Sequence, residues 1–274
     1  MMIHLASVRY RGVPDDEDPG AFPFSVDVIR NMTEIAFACP VTLFVGENGS
    51  GKSTVLEAIA AATRSVTAGS ESVERDPTLA RQRILGNQLD LRWAHRTSSG
   101  WFLRAEDFFG FARHTAQLRE EMRRHAAEVD EQYRAQGRSD WARTLATGPA
   151  RSSAHELEQR YGGDLDARSH GEGFLAFFAA RFKKGGLYLI DEPEAALSPQ
   201  SQLALLAHLF DMVRDDGQFI IATHSPILLA FPGAEIYAFD DGMITKTAYD
   251  DLPAVRLTRD FLAAPERYLR RLRS

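Results

Sequence analysis

Residues 41–54 read VTLFVGENGSGKST, a continuous apolar run that passes directly into a glycine-rich loop. An unbroken run of this kind predicts a strand buried on both faces of a sheet. The loop fits G-x-x-x-x-G-K-[ST], with Gly46, Gly51, Lys52 and Ser53 in the fixed places. The following GKSTVLEAIAAAT predicts a helix, and strand–loop–helix is the context in which this pattern carries meaning. Main-chain N–H groups of Gly46, Glu47, Asn48, Gly49, Ser50, Gly51 and Lys52 form a concave anion nest. The helix behind them adds its positive end. Lys52 is expected at the β- and γ-phosphates, the Ser53 hydroxyl on Mg²⁺ and Thr54 near the α-phosphate. The stretch predicts a bound nucleoside triphosphate, ATP, with Mg²⁺.

The bulk numbers set the frame. The chain has 274 residues, a formal net charge of −6 and 44% apolar residues. That length suits two domains, or one large α/β domain with an insertion. A strongly basic nucleic-acid binder would have the opposite balance, although a local basic face can sit inside an acidic total. The single cysteine, Cys39, cannot form an internal disulfide, which fits a reducing compartment. The opening MMIHLASVRY alternates as a strand does and lacks the pattern of a signal peptide. No apolar run is long enough to span a membrane. A cytoplasmic protein without membrane insertion is expected.

Working outward from the loop, IHLASVRY, PFSVDVI and TEIAF predict short strands before it. LDLRWAH and GWFLRAE, after it, read as a strand pair. A charged helical segment, DFFGFARHTAQLREEMRRHAAEVDEQYRA, follows, and residues 137–167 show no clear period. Then come a helix from 169, the strand GLYLI, the helix PQSQLALLAHLFDMVRD and the strands QFIIAT, EIYAF and MITKT. One last helix, LTRDFLAAPERYLRRLRS, closes the chain. Strand–helix alternation at both ends with a helical middle predicts an α/β core carrying a helical insertion. The core covers 1–107 and 168–274 and the insertion 108–167.

Two strand ends carry further chemistry. GLYLIDEPEAALSP sets Asp191 and Glu192 at the C-terminal end of an apolar strand, where open α/β sheets bind ligands. Adjacent acids there are costly unless a metal or a proton transfer uses them. Asp191 would hold Mg²⁺ and Glu192 would polarise the attacking water. QFIIATHSP ends the next apolar strand in His224, at the same sheet edge if the strands are parallel. A histidine there can bond the γ-phosphate and orient the water.

A second anion site is suggested by residues 169–182, SHGEGFLAFFAARF, where small residues run into an apolar helix. Ser169 and Glu172 also fit a capping box, which does not exclude a phosphate. In order along the chain, these elements resemble an ABC-type ATPase of the soluble branch, with the RecF-like and structural-maintenance-of-chromosomes ATPases. Short AAA- or ABC-like ATPases carry strings similar to FFLRAE, SHGE and DEPEAALSP. The resemblance implies a P-loop NTPase with an ABC-ATPase-type core. That core is a mixed sheet flanked by helices, with an antiparallel N-terminal β-subdomain and a helical insertion.

Further expectations come from the resemblance alone. It implies an ATP-dependent homodimer in which the signature of one copy completes the P-loop of another. Here the signature aligns with Arg168, Ser169, His170, Gly171 and Glu172; Ser169 and Gly171 match the phosphate-contacting positions, while His170 and Glu172 depart from the pattern. It implies a polar residue near Mg²⁺ where a strand enters the insertion, filled here by Glu106, with Gln88 the weaker candidate. Glu106 also reads as an acid favoured at a helix N-terminus. Ser198 stands where the family has an aspartate at the dimer seam. Arg11 would touch the nucleotide phosphates or ribose, or be an ordinary surface arginine. The roles left open are an ATP hydrolase switch acting on DNA, a transporter ATPase subunit, and a regulatory partner of a second protein in a toxin–antitoxin or defence pair.

Overall fold

The computed structural model describes residues 2–67, 77–160 and 170–272. In chain order the elements are β1 (Leu5–Tyr10), α1 (Asp27–Arg30), β2 (Glu34–Ala36), β3 (Val41–Gly46), α2 (Lys52–Ala62), α3 (Ala80–Asn87), β4 (Leu89–Trp93) and β5 (Gly100–Arg104). Then follow α4 (Ala105–Ala135), α5 (Asp140–Arg160), α6 (His170–Arg181), β6 (Leu187–Asp191), α7 (Pro199–Arg214), β7 (Gln218–Ala222), β8 (Glu235–Asp240), β9 (Met243–Lys246), α8 (Pro253–Ala263) and α9 (Pro265–Leu272). The chain divides into two compact units, residues 1–105 with 183–274, and residues 106–182. The sequence boundary at 168 would have left α6 with the core; it groups with the second unit.

In the first unit the main sheet has the order β5-β6-β7-β3-β8-β9. Its pairings are parallel from β5 to β8, and β9 alone runs antiparallel. β6 and β7 are buried at every residue, which is what their near-continuous apolar sequences require. A smaller antiparallel sheet has the order β2-β1-β4. α2 is apolar on nearly all sides, with Val55, Leu56, Ala58, Ile59 and Ala60 fully buried in the core. The two sheets are stitched by Gln218, the first residue of β7. Its Oε1 accepts the N–H groups of His4 and Leu5, both at 2.8 Å, and its Nε2 donates to the Leu5 carbonyl at 2.9 Å.

In the second unit, α4 and α5 are joined by a forked ion pair. Arg143 Nε lies 3.0 Å from Asp130 Oδ1 and Nη2 lies 2.9 Å from Oδ2. Phe108 on α4 packs edge-on against Phe174 of α6, with ring centres 5.1 Å apart.

Several sequence expectations need correction. Residues 23–29 are not a strand; they form turns leading into α1, with Phe24, Val28 and Ile29 buried. Their spacing of i, i+4 and i+5 is helical, and the run was too short for its alternation to tell the two periods apart. β4 and β5 are both strands but are not partners. β4 pairs with β1 and β5 with β6, because the chain changes sheet between them. Residues 140–160 form α5 despite Gly148 and Pro149, with Thr147 buried and the Arg143 fork holding the helix. The last helix is two, since Pro265 lacks the N–H and would clash with the preceding turn.

Gly100 opens β5 at φ +122°, and a Cβ there would sit 1.8 Å from the Leu187 carbonyl oxygen, a main-chain atom that cannot turn aside. Gly100→Ala should therefore destabilise the first unit by about 2 kcal/mol or more. Gly110, inside α4 with nothing within 4 Å of an added Cβ, is the control. Gly110→Ala should be neutral or stabilise by up to about 1 kcal/mol. Urea unfolding of the two variants reads both values.

Candidate functional site at the C-terminal sheet edge

The site is built by three neighbouring parallel strands. β7 lies between β6 and β3, in a register that aligns Asp191 with Ala222 and Ala222 with Phe44. The loops leaving these strands carry the acids, His224 and the glycine loop. All three emerge at one edge, where a parallel sheet leaves its binding crevice.

On the β3 side, Gly51 caps α2 at φ +97°, and a Cβ there would lie 2.5 Å from Val28 Cγ2. Conformation and space both require glycine at that position. Lys52 is buried, and its Nζ donates to the carbonyls of Gly46 at 2.9 Å and Glu47 at 3.0 Å. Burial pulls its ammonium below the ordinary lysine range, against the opposing pull of Glu192, Asp191 and Glu194. The Ser53 hydroxyl donates to Asp191 Oδ1 at 3.1 Å. A hydroxyl and a carboxylate oxygen held together are hard donors, suited to Mg²⁺ completed by substrate phosphates and water.

On the β6 side, Asp191 is buried, and burial pushes its carboxyl up to about 7. Glu57 and Glu192 act in the same direction, while the Ser53 hydroxyl and Lys52 oppose it. Glu192 is a non-glycine residue in the left-handed region, at φ +48° and ψ +52°. Its Oε1 lies 3.2 Å from His224 Nε2. The approach is off the hydrogen-bonding direction, so the buried Nε2 has no hydrogen-bond partner among the described residues. Ser50 Oγ and Glu194 Oε2 are likewise buried without one. Buried polar atoms are normally satisfied; the orphaned His224 Nε2 and Ser50 Oγ are open to a polar ligand. The other flank of the glycine loop borders a cavity of about 410 Å³ whose lining includes Ser50, Phe239, Asp27, Asp240 and Asp241. Its aspartates make it a poor phosphate site.

The model of a protein family described as "AAA domain, putative AbiEii toxin, Type IV TA system" matches residues 67–230. The chain belongs to this family. A second model, described as "AAA domain", matches residues 23–96 of this AAA-domain protein, including the glycine loop. No curated protein matches the chain. Among solved structures it is similar to a nucleotide-free ATP-binding cassette from an ABC transporter, at 15% identity over 97% of each chain and a TM-score of 0.46. It is also similar to an Smc head domain from Pyrococcus furiosus, crystallised with an extended coiled coil and the C-terminal domain of ScpA. That match has 11% identity over 95% of this chain and 100% of the other, at a TM-score of 0.45. The fold of this AAA-domain protein is a mixed sheet flanked by helices, beside a small antiparallel sheet.

Of the residues expected from sequence, Lys52, Ser53, Asp191, Glu192 and His224 come together at this edge. Arg11 donates to the Asn87 carbonyl and lies 3.4 Å from Asp90 through its Nε. Gln88 caps α3. Ser198 caps α7, accepting the Ser201 N–H. Gly171 stands in the first turn of α6, and Glu106 in the first turn of α4, both in the second unit. Arg168 and Ser169, and the side chains of His170 and Glu106, lie outside the described residues. Sequence reasoning missed Glu57, Glu194 and Gln202. Glu57, one helical turn beyond Ser53, pairs with Arg104 at 3.4 Å and accepts from Gln82 at 2.9 Å. The i, i+4 spacing from Ser53 was the available signal. Glu194 was visible as the third acid of DEPE. Gln202 gave no signal.

An acid whose carboxyl titrates higher in the folded state than in the unfolded one binds more protons when folded. Stability is then lost as pH rises between the two values, here from about 4 to about 7, at roughly 1.4 kcal/mol for each unit of displacement. In metal-free buffer the unfolding midpoint should fall across that window. Asp191→Asn should flatten the fall and exceed the wild type at pH 8, with the difference vanishing near pH 4. Thermal melts in chelator at stepped pH measure both curves.

Proposed function

We propose that this chain is an ATP-hydrolysing switch that closes head to tail on a second copy of itself when Mg·ATP is bound, and that the closed form acts on DNA. One observation carries the hydrolysis: Lys52, Ser53, Asp191, Glu192 and His224 converge at a single sheet edge, with buried polar atoms left unpaired. The amides from Gly46 to Thr54 cradle the phosphates. Lys52 turns its ammonium from two loop carbonyls to the β- and γ-phosphate oxygens. Ser53 and Asp191 would hold Mg²⁺, which would supply positive charge to the phosphates. Glu192 accepts a proton from the attacking water, and His224 donates to the γ-phosphate and sets the direction of attack. Most of the catalysis is positioning and charge stabilisation.

Support for dimer closure is the resemblance of residues 168–172 to a signature that contacts a second copy's γ-phosphate, Ser169 and Gly171 being the contacting positions. DNA rests on the RecF-like resemblance and on the arginines of α9, Arg267, Arg270 and Arg271. A second reading, an ATP-binding member of a toxin–antitoxin pair, is favoured by the description of the matched family. Turnover that appears only when a partner protein is added would select it.

Two experiments test the first reading. Glu192→Gln should retain ATP binding, lose roughly 10²–10⁴-fold in turnover, and sediment as a dimer in saturating Mg·ATP. A monomer under those conditions would count against the scheme. Filter binding of duplex and single-stranded DNA by the ATP-loaded variant, at two salt concentrations, should show affinity falling as salt rises. Affinity indifferent to salt, or none, removes DNA as the target.

A further inference from the structure

His224 is held in place by contacts that the nucleotide site itself does not use. Glu194, in the short turn after β6, accepts the main-chain N–H of His224 on its Oε1. Gln202, buried in the first turn of α7, works from the other side. Its Nε2 donates to the Leu197 carbonyl at 3.2 Å, and its Oε1 accepts from the Ser225 hydroxyl at 2.5 Å. Ser225 Oγ in turn accepts the N–H groups of Ile227 at 3.1 Å and Leu228 at 3.3 Å. Glu192 N–H adds a third tie, to the Ala222 carbonyl at 2.9 Å. The chain is therefore fixed before, at and after His224, each time from the acid loop 191–198 or from the helix that ends it. The imidazole Nε2, by contrast, lies beside the Glu192 carboxylate but off the hydrogen-bonding direction, and has no hydrogen-bond partner among the described residues. Its placement is set through its main chain.

We propose that Glu194 and Gln202 are positioning residues that lock the histidine loop to the acid loop, so that His224 and Glu192 face the γ-phosphate in one fixed relation. The inference rests on the ATP-hydrolysis reading and adds residues to it. Neither side chain has to touch the nucleotide. Gln202 also holds the Leu197 carbonyl beside Ser198, so the lock runs continuously from Ser198 to His224.

The test is a double-mutant cycle on ATP turnover, with ATP affinity and thermal melting measured on every variant. Glu194→Ala should lower kcat about 10-fold or more while leaving ATP affinity within about 2-fold. Glu194→Gln, which keeps an acceptor oxygen, should recover the greater part of that loss. In the His224→Ala background, Glu194→Ala should cost nothing further, because there is no imidazole left to place. Gln202→Ala should repeat the pattern, and it carries the test alone if Glu194→Ala does not fold. Additive losses in the His224→Ala background, or an equal loss of affinity and kcat, overturn the proposal. A wild-type chain that binds ATP without turnover sinks the hydrolysis reading and this inference with it. Normal wild-type turnover with additive losses removes this inference alone.

Discussion

The parallel pairing of β6, β7 and β3 is the constraint on which the rest of the first unit depends. Each pair is fixed in register over several residues, ending at Asp191 beside Ala222 and Ala222 beside Phe44. A one-residue slip in a strand buried on both faces would exchange its two sets of side chains. It would also carry Asp191 away from Ser53. Register at the far end is helped by Gln218, whose amide bonds His4 and Leu5, at the entry to β1, from the start of β7. The residues proposed to perform chemistry stand at one end of these strands, and the Gln218 anchor stands at the other.

Charge at the site is lopsided. Asp191, Glu192, Glu194 and Glu57 crowd one edge, opposed by Lys52 and by Arg104, which pairs with Glu57. Burial makes the imbalance felt: Asp191 is driven toward its neutral form and Lys52 toward its own. A divalent cation and a polyphosphate are opposite answers to these two pressures. The cation favours the ionised carboxylate and the phosphates favour the ammonium. The same burial that penalises each charge alone strengthens its attraction to a ligand of the other sign. The donor set and its electrostatics therefore suit the ligand of the proposed function, a metal-bound phosphate chain.

Legibility in the sequence followed how local each feature was. The glycine loop, the two acids and His224 each follow a strand within a few residues, and strand pattern plus loop chemistry was enough to find them. The small antiparallel sheet was readable as strands. Its pairing was not, because the partner of β4 is β1, some eighty positions earlier, and nothing in LDLRWAH names it. α5 was hidden because its Gly-Pro pair breaks the local signal, while the Asp130–Arg143 fork that holds it is a tertiary contact. Gln202 was invisible for the same reason. It is an ordinary helix residue until α7 is laid against the loop after β7.

The backbone at Glu192 argues for the site independently of any motif. A left-handed conformation at a residue with a Cβ costs of order 1–3 kcal/mol and persists only where the surroundings over-determine it. Here they do. The Glu192 N–H is taken by Ala222, its carbonyl accepts from Ala195 at 3.0 Å, and Pro193 begins a tight turn immediately after it. Glycine or asparagine would occupy such a position at less cost. The proposed role of Glu192 gives that conformation a use, since its carboxylate is then needed where the turn puts it. The turn puts it within 3.2 Å of His224, on the same edge as Lys52 and Ser53. The strain is local and, under the proposed mechanism, the gain is chemical: the turn carries the carboxylate out of the row of the strand to the side of His224.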